Sequence, residues 1–168
     1  LVKAFKFLKE DKTNKHLKLV LAGRKVLNGN AEVLNALETY ILTNNLSKSV
    51  LITDYLSSAE IRSLYKKALI YVFPSVEEGF GIPILESFAM KTPVVTSNAG
   101  AMVEVAGGAA EHFNAGDYIE LSKTLTKLIT SKPKRTYLVE KGSERLKAFS
   151  REKFINDYEH LILKSVKN

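Results

Sequence analysis

Ile70-Tyr71-Val72-Phe73-Pro74-Ser75-Val76-Glu77-Glu78-Gly79-Phe80-Gly81-Ile82-Pro83-Ile84-Leu85-Glu86 reads as a strand, a loop and the opening of a helix. The first four residues are apolar, β-branched or aromatic, and Pro74 stops the run because it cannot donate to a sheet. The chain must then bend sharply, and Gly79 and Gly81 can take positive φ or let another group approach closely. Pro83 suits a first helical turn, where its missing N–H costs nothing. The helix leaves N–H groups unpaired, among them those of Ile84 and Leu85, and its positive end suits a diphosphate. Glu78 precedes the turn and Glu86 lies one turn into the helix, and carboxylates accept hydrogen bonds from hydroxyls. Phosphate would repel Glu86, so ribose hydroxyls suit it, and Glu78 can reach sugar hydroxyls at the other end. A ligand with phosphates in the middle and hydroxyls at both ends fits, and a nucleotide-sugar is such a ligand. Taken alone, a Gly-x-Gly-x-Pro loop can also be chain punctuation, and Glu86 an ordinary exposed helix residue.

Outward from this segment, short apolar runs alternate with helical patterns. Leu17 to Ala22 reads as a buried strand ended by Gly23, and Val50 to Thr53 as the next. Between them, Ala31 to Asn44 carries Val33, Leu34, Leu37, Ile41 and Leu42 at helical spacing. Ser57 and Glu60 form a capping box before a helix with Ile61, Leu64, Tyr65 and Ala68 on one face. Pro93 to Thr96 and Ala109 to Phe113 read as further strands, with a short helix from Ala101 to Val105 between them. Asp117 can cap a helix through Ile129, and two helices follow, Pro133 to Ala148 and Arg151 to Val166, the second capped by Ser150. This alternation predicts an α/β domain with a parallel sheet covered on both faces. Ligands of such sheets sit beyond the carboxyl ends of the strands. Four loops collect there: Gly23 with Arg24, Asp54 with Tyr55, Ser75 to Gly81, and Ser97 to Gly100. Residues 1–168 read as one domain, without repeats or linkers.

The composition bounds the function. The 168 residues are enough for one domain with a real core, and 45% hydrophobic content is that of a soluble globular chain. No apolar run reaches the roughly 18 residues of a membrane span. The chain has no cysteine, which excludes disulfides and thiolate metal sites and fits a cytoplasmic setting. The net charge of +7 suits an anionic ligand or an anionic membrane surface, or is simply a solvated lysine-rich exterior. No aromatic-interleaved basic stripe points to nucleic acid. The N-terminus lacks Met and opens inside an amphipathic helix, so a piece of a longer protein is expected. His16, His112 and His160 lack metal-ligand spacing, and no metal site is expected. Ser75 and Ser97 stand in no Gly-x-Ser-x-Gly pattern. No Walker loop or Gly-x-Gly-x-x-Gly follows the first strand. Tyr65 and Phe88 read as core residues.

Several pieces occur in a definite order: Ala59-Glu60-Ile61 through Tyr65 and Ala68; Val72-Phe73-Pro74-Ser75; Glu78-Gly79-Phe80-Gly81-x-Pro83-x-x-Glu86-x-x-Ala89; Thr92 to Ser97; then Gly100, Glu104-Val105 and Gly107. Over Leu17 to Phe149 the chain resembles the C-terminal, donor-binding domain of retaining GT-B glycosyltransferases of the glycosyl transferase group 1 family. The pair Glu78-x7-Glu86 is that family's signature. The resemblance implies a Rossmann-like half of a GT-B fold. It further implies transfer, with retention and without an essential metal or other cofactor, of a sugar from a nucleoside diphosphate sugar to a glycan or lipid-linked saccharide. It casts Glu78 as the acidic residue near the anomeric carbon and Glu86 as the ribose ligand. Phe80, Gly81 and Ile82, with Gly79, line the sugar and phosphates, Ile84 and Leu85 supply amides to the diphosphate, and Asp54 and Tyr55 lie by the base. Asn98 to Gly100 come near the donor sugar.

The family's diphosphate-binding Arg and Lys belong to a strand and loop before this chain's first helix, and Arg24, after a different strand, does not replace them. The first strand and the N-terminal acceptor domain are expected to be absent, and the fragment to be inactive alone. Alternatives are a non-catalytic nucleotide-sugar-binding or membrane-surface domain at the inner face of the membrane, or an epimerase or phosphorylase on the same fold.

Overall fold

In the computed structural model, described for residues 1–23 and 31–166, five short strands alternate with helices. The strands are β1 (Leu19–Leu21), β2 (Val50–Ile52), β3 (Tyr71–Phe73), β4 (Val94–Ser97) and β5 (Ala110–Phe113). The helices are α1 (Val2–Glu10), α2 (Ala31–Thr43), α3 (Ser58–Lys67), α4 (Ile82–Ala89), α5 (Ala101–Ala106), α6 (Tyr118–Thr130), α7 (Lys132–Arg145) and α8 (Arg151–Val166). Short 3-10 turns cover Lys12–His16 and Leu146–Phe149. Every strand pairing is parallel, as the alternation requires. The strands form two ladders, β1–β2 and β3–β4–β5, rather than the single continuous sheet expected. Among the described residues no strand pairing joins the two ladders.

The alternation of side chains along β4 sorts the core into two layers. Val95 faces a cluster with Val2, Phe5 and Leu8 of α1, Leu121, Leu125 and Leu128 of α6, and Val50 of β2. That cluster spans both ladders and holds them as one body. Val94 faces the opposite cluster, made by Ile84 and Phe88 of α4, Met102 and Val105 of α5, and Ala110 of β5. All four residues of β4 are buried, so the central strand is covered on both faces, the pattern of a parallel sheet between helix layers. Arg24 lies outside the described residues.

Local signals account for the helix ends. Ser57 and Glu60 make the expected capping box, with Glu60 Oε2 accepting from the Ser57 N–H at 2.8 Å. Asp117 accepts from the N–H groups of Ile119 and Glu120 at 2.9 and 2.8 Å and starts α6. Ser150 Oγ accepts from the Lys153 N–H at 3.2 Å at the start of α8. At Gly142 α7 lies directly on α4: a Cβ there would sit 2.6 Å from Phe88 Cδ1. Arg145, at the end of α7, reaches back to α5 and donates to the carbonyls of Glu104 and Val105 at 2.6 and 3.1 Å. Its guanidinium also stands 4.9 Å from the centre of the Phe149 ring. No helix among the described residues is long and apolar enough to cross a membrane.

Candidate functional site at the carboxyl edge of the strands

The loops after β3 and β4 are fastened together by hydroxyls. Thr96 Oγ1 donates to the Phe73 carbonyl at 3.1 Å, and Ser97 Oγ donates to the Ser75 carbonyl. Both Thr96 and Ser97 are fully buried, so these bonds are shielded from competing water. Ser75 Oγ in turn donates to Glu78 Oε1 at 2.8 Å and to the Glu77 carbonyl at 3.2 Å. A chain of contacts thus runs from the sheet to the exposed Glu78 carboxylate. Gly100 follows β4 with φ 53° and ψ −137°, a conformation closed to side-chain-bearing residues. A Cβ there would lie 4.0 Å from the Glu78 carbonyl oxygen, so the two loops adjoin.

Of the two glycines before α4, only Gly81 takes positive φ. Gly81 has φ +99°, and a Cβ on it would meet Ile84 Cδ1 at 3.3 Å. Gly79 lies in a bend, as expected, but has no positive φ and has open space around it. The Ile84 N–H, expected to be unpaired, donates to the Gly81 carbonyl at 2.9 Å. The reason is a tight 3-10 type closure of the first turn after the left-handed Gly81. Pro83 sits in that turn and has no N–H to satisfy. Ile82 and Phe80 are exposed at the mouth, and Leu85 is half-buried. The Phe80 ring stands edge-on to Phe149 at 5.8 Å.

Glu86 is not a free helix residue. The Tyr65 hydroxyl on α3 donates to Glu86 Oε2 at 3.3 Å. The Tyr65 ring packs edge-on against Tyr71 of β3 at 5.0 Å. Burial raises the Tyr65 pKa above its ordinary value, with Tyr71 and Glu86 adding to the rise. Burial also pushes Tyr71 up to about 12; the Tyr65 hydroxyl acts the other way, and the charges of Glu86 and Glu78 add to the rise. Both phenols therefore keep their protons near neutral pH.

Other expected residues take varied places. Asp54 and Tyr55 are exposed after β2, and Asp54 Oδ1 accepts from the Tyr55 N–H at 2.8 Å. Asn98 braces its loop, its Nδ2 donating to Asn114 Oδ1 at 2.7 Å and its Oδ1 accepting from the Ala115 N–H at 3.2 Å. His112 places Nδ1 3.4 Å from the Ser97 carbonyl, a structural contact. Tyr65 is core, as its helical spacing predicts, yet its hydroxyl reaches the site. Helical periodicity reports which way a ring points and not where its polar tip ends. The signal that could have found it is the phenol itself, since a buried tyrosine hydroxyl needs a partner.

The fold is that of the Rossmann-like half of a GT-B glycosyltransferase. The C-terminal domain of a glycosyl transferase group 1 family protein from Francisella tularensis superposes with TM-score 0.77 at 23% identity, over 88% of this chain and 75% of that one. HepE of Anabaena, solved in complex with UDP, superposes with TM-score 0.84 at 21% identity, over 98% of this chain and 44% of that one. The chain belongs to the family of glycosyl transferases group 1, whose model matches residues 1–145. The O-antigen chain mannosyltransferase RfbU of Salmonella typhimurium is 34% identical over 89 residues, 53% of this chain and 25% of that protein. An uncharacterised glycosyltransferase of Methanocaldococcus jannaschii is 32% identical over 132 residues, 76% of this chain and 36% of that protein. The chain thus spans about a quarter to a third of the length of these relatives.

Proposed function

We propose that this chain is the donor-binding half of a retaining glycosyltransferase. The observation that carries the reading is the edge described above: two carboxylates flanking a left-handed turn into a helix, in a chain of this family. The reading places the diphosphate at the start of α4, where the amides of Ile82 and Leu85 and the helix dipole favour negative charge. The nucleotide ribose bonds Glu86. The sugar lies toward Glu78 and Gly100, and the base toward Asp54 and Tyr55. In the transfer, the bond from the anomeric carbon to the phosphate oxygen breaks, and its electron pair stays on the diphosphate. The acceptor oxygen bonds to that carbon on the same face and passes its proton to an oxygen of the departing diphosphate. Amides at the helix start stabilise the charge that develops on the leaving group. Glu78 positions the donor and stabilises positive charge at the sugar. No metal is assigned a role, and no covalent nucleophile is assigned.

The curated relatives include O-antigen chain and other mannosyltransferases, so a hexosyl donor and a glycan or lipid-linked acceptor are the proposed substrates. The acceptor belongs to a further domain of the whole protein, and this half alone binds donor without turning it over. The charge of +7 and the exposed Phe154, Tyr158 and Leu163 of α8 support residence at the inner face of an anionic membrane. Co-sedimentation that ignores the anionic lipid content of vesicles would refute that last point.

Calorimetric titration with UDP, GDP, ADP and their hexose conjugates tests the donor site. Glu86→Ala should weaken every nucleotide, whereas Glu78→Ala should remove mainly the gain that the sugar adds. Equal effects of both substitutions on both ligand types would overturn this division of roles.

A further inference from the structure

Tyr65 makes more contacts with α4 than packing requires. Its hydroxyl donates to Glu86 Oε2, while its own carbonyl accepts from the buried Thr92 Oγ1 at 2.7 Å. The Thr92 carbonyl in turn accepts from Ser87 Oγ, fully buried on α4, at 3.3 Å. Glu86 and Ser87 are neighbours, so the path closes on itself: Glu86 to Tyr65, Tyr65 to Thr92, Thr92 to Ser87, and back along the helix. Two of its three links are buried, where hydrogen bonds are strong and hard to replace. The loop fixes the C-terminal end of α3 to the middle of α4. It also fixes the phenol tip relative to one carboxylate oxygen. The Tyr65 ring is held independently by its edge-on contact with Tyr71, and Tyr65 is only 8% exposed.

A carboxylate on an exposed helix position samples several rotamers, and ordering it costs free energy when a ligand binds. A phenol already bonded to one oxygen removes part of that cost. It also leaves the second oxygen for a ligand. We infer that Tyr65 is a positioning residue for the donor site, holding Glu86 by Oε2 so that Oε1 faces the two hydroxyls of the nucleotide ribose. The inference rests on the reading of Glu86 as the ribose ligand. Tyr65 touches no ligand in this scheme and acts only through Glu86.

Tyr65→Phe tests it, since phenylalanine keeps the ring on Tyr71 and removes only the hydroxyl. The chain is titrated with UDP, GDP and ADP, each beside its dideoxy counterpart lacking both ribose hydroxyls. Wild type should prefer the ribonucleotide. Glu86→Ala should abolish that preference. Tyr65→Phe should reduce it by roughly three- to tenfold, the worth of one hydrogen bond, while leaving affinity for the dideoxy ligand unchanged. Adding Tyr65→Phe to Glu86→Ala should change nothing further. A merely structural tyrosine would instead lower affinity for both ligands alike, and that outcome overturns the inference. So does a Tyr65→Phe variant with full ribose preference where Glu86→Ala has lost it; the Glu86 reading then stands and only Tyr65 is demoted. No binding of any of the three nucleotides, or no ribose preference in wild type, overturns the Glu86 reading and the inference with it.

Discussion

Gly142→Ala should destabilise this protein, against the general rule for helices. In the interior of an exposed helix the change would stabilise by about 1 kcal/mol, because alanine is the best helix former and glycine among the worst. Gly142 lies inside α7 but is buried. An added Cβ would sit 2.6, 3.0 and 3.2 Å from Cδ1, Cγ and Cε1 of Phe88. The ring cannot step aside, since Phe88 is only 2% exposed and packs with Ile84, Val94 and Met102. Overpacking of this kind costs roughly 1–3 kcal/mol. The net is a loss of about 0–2 kcal/mol, read as a lower urea midpoint at unchanged m. A second measurement separates the two terms. In a Phe88→Ala background the facing ring atoms are gone, and Gly142→Ala should then stabilise by up to about 1 kcal/mol relative to that background. The sign should invert between backgrounds, a coupling of the size seen for side chains in contact. If Gly142→Ala stabilises the wild type by its full helix-propensity gain, α7 does not rest on Phe88 as described.

Three further outcomes are expected. Gly81→Ala forces a side chain into φ +99° and against Ile84, and should cost about 1–3 kcal/mol of stability in urea titration while weakening nucleotide affinity. Arg145→Ala removes two hydrogen bonds to the end of α5 and the contact with Phe149, so thermal unfolding should show a loss of about 1–3 kcal/mol, and Arg145→Lys should recover only part of it because lysine lacks the planar fork. On alkaline titration, two of the seven tyrosines should ionise late by near-ultraviolet phenolate absorbance. Because their folded pKa values are raised, their contribution to stability is whole below the ordinary tyrosine pKa. It declines as pH rises through the folded value, about 12 for Tyr71, and seven tyrosines ionising together would refute this.

Much of the architecture was legible because local chemistry and global fold agree. The Ser57–Glu60 box, the Asp117 cap and the strand at Val94 each stand where their residue types place them. Strand lengths were not legible. An apolar run such as Leu17 to Ala22 marks what is buried, whereas the ladder also needs a partner in register, and only Leu19–Leu21 find one opposite β2. The break between the two ladders was hidden for the same reason. In the site, Glu78, Gly81 and Glu86 stood out by type and spacing. Gly79 bends as its type suggests, but without entering the left-handed region that Gly81 occupies. The hydroxyls of Tyr65 and Ser97 escaped because their partners come from other elements, which only the tertiary fold brings near.

The edge-on contact of Phe80 with Phe149 joins the mouth of the site to the root of α8. The guanidinium of Arg145 clamps the same Phe149 ring from α7. An aromatic pair of this kind is worth about 0.5–1.5 kcal/mol. Drawing Phe80 inward onto a ligand therefore means either bringing Phe149 along or surrendering that energy. By linkage the debt runs both ways. Whatever holds α8 at its root biases the posture of the loop that bears Glu78 and Gly81, and an occupied loop pulls back on α8. The last helix is a handle on the site, built from two rings and one cation.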